Sequence, residues 1–140
     1  NIPIGWGEPF FNSIESMISH LVFSIPAIKG IEFGSGFGAS KMFGSQHNDV
    51  LIDLEGHTKT NHSGGINGGI SNGNPLIFRV AVKPTSSISS AQNTLDTLKN
   101  EMVDLEIIGR HDVCIALRVP VILESVTAIA LADLYLQSTK

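Results

Sequence analysis

The sequence predicts an α+β domain in which a mainly antiparallel sheet packs with helices. Apolar residues recur at helical spacing near both ends of the chain, and several short alternating segments lie between them. The intervening links are rich in Gly, Asn and Ser, and are mostly of hairpin rather than crossover length, which favours antiparallel pairing.

The first helix is predicted from Pro9 to about Ile25. Phe10, Phe11, Ile14, Met17, Ile18, Leu21, Val22 and Ile25 fall on one stripe, Pro9 suits a first helical turn, and Pro26 stops the helix. His20 lies late in this helix, where an imidazole complements the negative end of the dipole. Residues 28–36, "IKGIEFGSG", alternate and finish in glycines, as a strand entering a turn does. Residues 37–49, "FGASKMFGSQHND", read as a loop, and "VLIDLEG", 50–56, reads as a second strand.

Residues 57–75 are so rich in glycine and asparagine that order is expected only around something bound. A clear strand follows at 75–83. Leu76, Phe78, Val80 and Val82 point one way, and Ile77, Arg79, Ala81 and Lys83 the other. Two cations on one face imply that this face meets an anion or a partner carboxylate. "NTLDTLKNEMVDLEI", 93–107, has the pattern of a hairpin around Lys99-Asn100. The last helix is predicted from Pro120 to near Gln137. Glu124 and Asp133 interrupt its apolar run, so it is read as a buried helix and not a membrane span.

At 140 residues, with 42% hydrophobic and 16% charged side chains, the chain is read as one domain, 1–140, able to fill a core. A net charge of −4 without basic runs argues against nucleic acid as a partner. A single cysteine excludes an internal disulfide and fits a reducing compartment, the cytoplasm. The start "NIPIGWGEPF" has neither the basic nor the apolar region of a secretory signal.

Three polar clusters carry chemistry. "GGINGGISNG", 64–73, offers backbone N–H groups that can approach a ligand closely, but it lacks the Gly-Lys-Ser/Thr of a nucleotide loop and is followed by a strand. A flexible surface loop remains its plain alternative. "KPTSS", 83–87, sets an ammonium and several hydroxyls at a strand end, suited to a phosphate or a polar ring edge; an ordinary Ser/Thr turn fits the same letters. "GRHDVC", 109–114, places Arg110, His111, Asp112 and Cys114 together. Nucleophile and base are usually assembled from distant segments, so Cys114 is read as a small hydrophobe buttressing the last helix. The five histidines and lone cysteine show no metal-ligand spacing. Asp112 beside Arg110 is either an ionised proton acceptor or a structural ion pair.

"GEPFF", "SIPAIKGIEFGSGF", "GSQHND", "NHSGGINGGISNG", "FRVAVKPTSSI" and "GRHDVC" with a later Arg and Glu stand in the order and near the spacing of the C-terminal part of chorismate synthase, which the chain resembles over roughly 8 to 136. The resemblance implies a β-α-β sandwich fold and a shikimate-pathway lyase. That enzyme converts 5-enolpyruvylshikimate 3-phosphate to chorismate and phosphate by 1,4-elimination and requires reduced FMN. It implies FMN contacts at Pro26, Ala27, Gly68, Lys83, Pro84, Thr85, Ser86, Ser87 and Arg110. It implies substrate contacts at Arg110 and His111, and proton handling by Asp112. NADPH enters only if the parent enzyme also reduces flavin. The family is homotetrameric, so self-association is expected.

The family's N-terminal histidines and arginine-rich segment do not occur here, and Val113 stands where proline is commoner. The chain is therefore expected to be a C-terminal fragment, inactive alone. A non-catalytic FMN-binding or oligomerisation module is the alternative.

Overall fold

The computed structural model describes residues 2–110 and 112–139. Its elements are α1 (Ile14–Phe23), β1 (Ile28–Phe33), α2 (Gly44–His47), β2 (Ile66–Asn67), β3 (Ile70–Ser71), β4 (Phe78–Val82), β5 (Gln92–Asp96), β6 (Glu101–Leu105) and α3 (Val119–Ser138), with short 3-10 turns before α1, after β1 and before α3. The α+β expectation holds. The strands form three antiparallel pairs, β1 with β4, β2 with β3 and β5 with β6, in place of one sheet.

Helix α1 organises the molecule. Its Ile14, Ile18 and Val22 repeat every fourth residue and are fully buried. They form one core cluster with Ile25, Ile28, Ile66, Val119, Ala130 and Leu134. Each such aliphatic side chain contributes about 1.5–3 kcal/mol when buried. The helix begins four to five residues later than Pro9 because Ser13 caps it, its Oγ accepting the Ser16 N–H at 3.1 Å. Phe10 takes a left-handed backbone (φ 66°), which does not belong in a right-handed α-helix, and Phe10 and Phe11 stand 87% and 92% exposed instead of joining the core. Pro26 follows the end of the helix as expected.

β1 stops at Phe33, before the left-handed Gly34. A side chain on Gly34 would collide with the His62 carbonyl and the Gly64 amide, so the turn requires glycine. The alternation read in β4 is present: Leu76, Phe78, Val80 and Val82 pack on the core while Arg79 faces out. The carboxylate expected opposite that face is Glu32, whose Oε1 accepts from Arg79 Nε at 2.9 Å, paired with it across the β1–β4 ladder. The Phe37 N–H, with Arg79, holds the Glu32 carboxyl below its usual range.

Three expectations are corrected. Residues 50–56 are not a strand, since only Leu51 bridges to Thr58. The Asp53 carboxylate accepts the His57 N–H at 2.9 Å and turns the chain back, leaving Val50, Leu51, Ile52 and Leu54 exposed. Within the glycine-rich segment, side chains of the protein satisfy several of the amides. Asp49 accepts from the His62 and Ser63 N–H groups and the Thr60 hydroxyl, and Asn61 spans from the Gly65 N–H to the Pro75 carbonyl. Finally, α3 is not a buried helix. One stripe, Val119, Ala130 and Leu134, meets α1, while Val121, Ile122, Ile129, Tyr135 and Leu136 are exposed, and so is Cys114, which buttresses nothing. By length and composition Ile115–Ser138 also meets the requirement of a bilayer span, a test that helices enclosed in large soluble proteins pass as well.

The β5–β6 hairpin forms where expected. Asp96 collects the Leu98, Lys99 and Asn100 N–H groups, and Asn100 turns left-handed (φ 56°).

Burial pushes the Asp49 carboxyl up, but the Ser63 and His62 N–H groups and the hydroxyls of Thr60 and Ser63 outweigh it and bring it from 3.8 to about 2. A carboxyl lowered on folding stabilises the native state above its unfolded pKa, and that contribution fades as pH falls through the folded value. Urea unfolding of Asp49→Asn should therefore show a stability deficit at pH 6 that shrinks between pH 4 and pH 2. A deficit of constant size would mean that the carboxylate charge does not order the loop.

Candidate functional site

A group of chemistry-bearing residues gathers at one end of the β1–β4 ladder. Pro26 and Ala27 lie between α1 and β1. Ala27 is left-handed (φ 72°), a conformation that costs an alanine about 1–2 kcal/mol, and its carbonyl accepts the Lys83 N–H at 2.8 Å. That bond starts the "KPTSS" segment directly beside the Pro26-Ala27 turn. Lys83, Pro84 and Ser86 are exposed, and Thr85 and Ser87 half-buried.

The segment then reaches the third motif. Thr85 Oγ1 donates to the Asp112 carbonyl at 3.2 Å. The Asp112 carboxylate does not pair with its sequence neighbour Arg110, as the reading of "GRHD" had it. Its Oδ1 accepts from Arg118 Nη2 at 2.8 Å, six residues on, at the entry to α3. Arg110 is exposed on the same segment, and His111 lies outside the described residues. Ala27, the Lys83–Ser87 segment and Asp112 are thus joined by hydrogen bonds although they stand far apart in sequence.

Gly68 is elsewhere. It forms the β2–β3 turn (φ 59°), with open space where a Cβ would project, and the adjoining Gly69 carbonyl accepts the Ile14 N–H at the start of α1. Ala27 follows the other end of that helix, so ten helical residues, about 15 Å of rise, separate the two.

The sequence reading missed a second polar centre. Asp49 fixes the His62 main chain, the His62 Nδ1 lies 2.8 Å from the Ser35 hydroxyl, and the His47 ring lies 5.5 Å from that of His62. Asp49 and His47 border an open cavity of about 930 Å³ with Thr58, Ser63, Asn67 and Asn72. The adjacency of His47 and Asp49 in "QHND" was visible, but the fold alone brings His62 to them. A second open cavity of about 890 Å³, largely apolar, lies between α1 and α3, lined by Phe10, Phe11, Met17, His20, Ile129 and Asp133. Among the described residues no group of His, Cys, Asp and Glu has the arrangement of a metal site.

The family model described as chorismate synthase matches residues 1–136. The chain belongs to the chorismate synthase family. It is 63% identical over 135 residues to chorismate synthase of Chitinophaga pinensis, covering 96% of this chain and 41% of that protein. It is 51% identical over 142 aligned positions to chorismate synthase of Dehalococcoides mccartyi, covering 99% of this chain and 38% of that one. A solved structure titled "Crystal Structure of Chorismate Synthase" superposes with a TM-score of 0.75 at 32% identity, covering 99% of this chain and 35% of that one. The chain thus spans about two fifths of the length of the curated relatives it matches.

The left-handed backbone of Ala27 makes a test of local strain. Ala27→Gly should unfold in urea at the same or a higher midpoint, whereas a β-branched Ala27→Val should lose about 1–2 kcal/mol or more. Equal stability of all three proteins would place Ala27 in an ordinary conformation.

Proposed function

We propose that this chain supplies the flavin-facing wall of a chorismate synthase, a carbon–oxygen lyase of aromatic amino-acid biosynthesis working in the cytoplasm. The reaction converts 5-enolpyruvylshikimate 3-phosphate to chorismate and phosphate. The single observation that carries this reading is the hydrogen-bonded convergence of Ala27, the Lys83–Ser87 segment and Asp112 at one end of the β1–β4 ladder.

The chemistry of that cluster fits an anionic, hydrogen-bond-accepting cofactor. It offers an ammonium, a guanidinium and several hydroxyls on exposed or half-buried positions. Gly68 enters as a further contact on the family pattern alone. Reduced FMN, when bound, supplies electron density where the carbon–oxygen bond breaks. Lys83 and Arg110 neutralise anionic groups, and Thr85, Ser86 and Ser87 orient polar edges. The 1,4-elimination breaks one C–O bond to phosphate and removes one C–H proton, and the Asp112 carboxylate is placed in the role of proton handling. Arg110 and His111 adjoin the substrate.

Preorganised cations near the leaving phosphate act most strongly where water is excluded, and here the cluster is largely open. The chain alone is accordingly proposed to be inactive, and turnover to need the remaining three fifths of the family's length. A second reading, an FMN-binding or self-associating module without turnover, is favoured by the exposed Phe10, Phe11, Ile129 and Leu136. Flavin titration and sedimentation of the chain alone distinguish the two. The homotetramer of the family and any use of NADPH by a parent that reduces its own flavin belong to the same proposal.

The decisive experiment uses a full-length protein in which this chain replaces the matching stretch of the Chitinophaga pinensis relative. Lys83→Ala should weaken FMN binding roughly tenfold, the worth of a charge-assisted hydrogen bond. An unchanged dissociation constant would sink the cradle. Asp112→Asn should bind FMN normally and lose about 10²- to 10⁴-fold in turnover, the scale of a missing acid–base group. Near-normal turnover would remove Asp112 from proton handling.

A further inference from the structure

The contact that the sequence did not announce is the one between Asp112 and Arg118. Arg118 closes the 3-10 turn Ile115–Arg118 and enters α3 with helical backbone angles (φ −94°, ψ −13°), and its side chain makes no capping bond. It reaches back across that turn and delivers a guanidinium to the Asp112 carboxylate at 2.8 Å.

Stability does not account for the pair. The side chains are 74% and 44% exposed, and ion pairs in water hold little folding energy. What the pair does fix is geometry. Asp112 is held at two points: its main-chain carbonyl by the Thr85 hydroxyl at 3.2 Å, and its carboxylate by Arg118. The first tether ties it to the Lys83–Ser87 segment, the second to the rigid start of α3. One carboxylate oxygen, Oδ1, is engaged by the guanidinium, which sets the direction in which Oδ2 presents its lone pairs.

We propose that Arg118 is a positioning residue for Asp112, fixing the rotamer from which the carboxylate handles the proton. The inference rests on the reading of Asp112 given above, and is kept apart from it by the following experiments. In the chain as it stands, the side-chain N–H signals of Arg118 are followed by ¹⁵N-edited NMR. Asp112→Asn should shift and broaden the Arg118 signals and leave those of Arg79, paired with Glu32, in place. Arg118 signals that do not change would overturn the pairing and the proposal together.

In the full-length chimera, Arg118→Gln should lower kcat about 10- to 100-fold, the cost of a misplaced reacting group, with KM and the FMN dissociation constant within roughly twofold. Arg118→Lys, which keeps the charge, should recover most of the loss. Asp112→Asn combined with Arg118→Gln should be no slower than Asp112→Asn alone, because a residue acting through another has nothing left to act on. Losses that multiply, or a loss in KM, would make Arg118 a substrate contact and overturn the positioning role. If Asp112→Asn turns over normally, the reading of Asp112 fails and this inference with it. If Asp112→Asn is slow and Arg118→Gln is not, this inference alone fails.

Discussion

The burial of Ile14, Ile18 and Val22 on α1 is the constraint on which the other elements depend. These side chains are fully buried in a chain where few others are, and they lie at the centre of one core cluster. Both β1 and α3 pack against this helix, so a four-residue repeat on ten residues of helix sets the placement of the remaining core elements. The two ends of that helix are also two places where candidate motifs sit. Its N-terminus receives the β2–β3 turn through the Ile14 N–H bond to Gly69, and its C-terminus releases the chain into Pro26-Ala27. Loss of the stripe would therefore dissolve the core and unlock both ends at once.

Elements whose burial pattern is periodic were legible, and elements held by single polar groups were not. α1, β1, β4, the β5–β6 hairpin and α3 all show in the spacing of apolar residues. The start of α1 was misplaced because Phe10 and Phe11 fit the helical stripe by type, while the left-handed Phe10 and the Ser13 cap decide the boundary. The 50–56 segment has the letters of a strand, but strand letters need a partner strand, and Asp53 bends the chain before one is found. The order of the glycine-rich loop depends on one carboxylate, Asp49, brought in from outside the loop.

The candidate site divides in the same way. Its membership was readable as short motifs, and the hydrogen bonds among Ala27, Lys83, Thr85 and Asp112 follow from how the ladder and α3 are arranged. Its wiring was not readable. Arg110 is the cation beside Asp112 in sequence, yet Arg118 is the cation beside it in space, because the 3-10 turn before α3 folds the chain back on itself. Adjacency in sequence overstates contact when a turn follows, and the same caution applies to Gly68, separated from the other motif residues by the length of α1.

The exposure of this cluster weakens the field of its charges. Two unit charges about 4 Å apart attract by roughly 1 kcal/mol in bulk water and by about 4 kcal/mol at the effective dielectric of a partly covered protein surface. Lys83, Arg110 and the Asp112–Arg118 pair, as they stand, face solvent. Their geometry is set, but the field they exert is diluted. The Phe10–Phe11 corner and one face of α3 are exposed apolar surface. Removing such surface from water is worth about 25 cal/mol per square ångström, and a charge from which water is excluded acts more strongly. Packing and electrostatics thus respond to the same change, the exclusion of water.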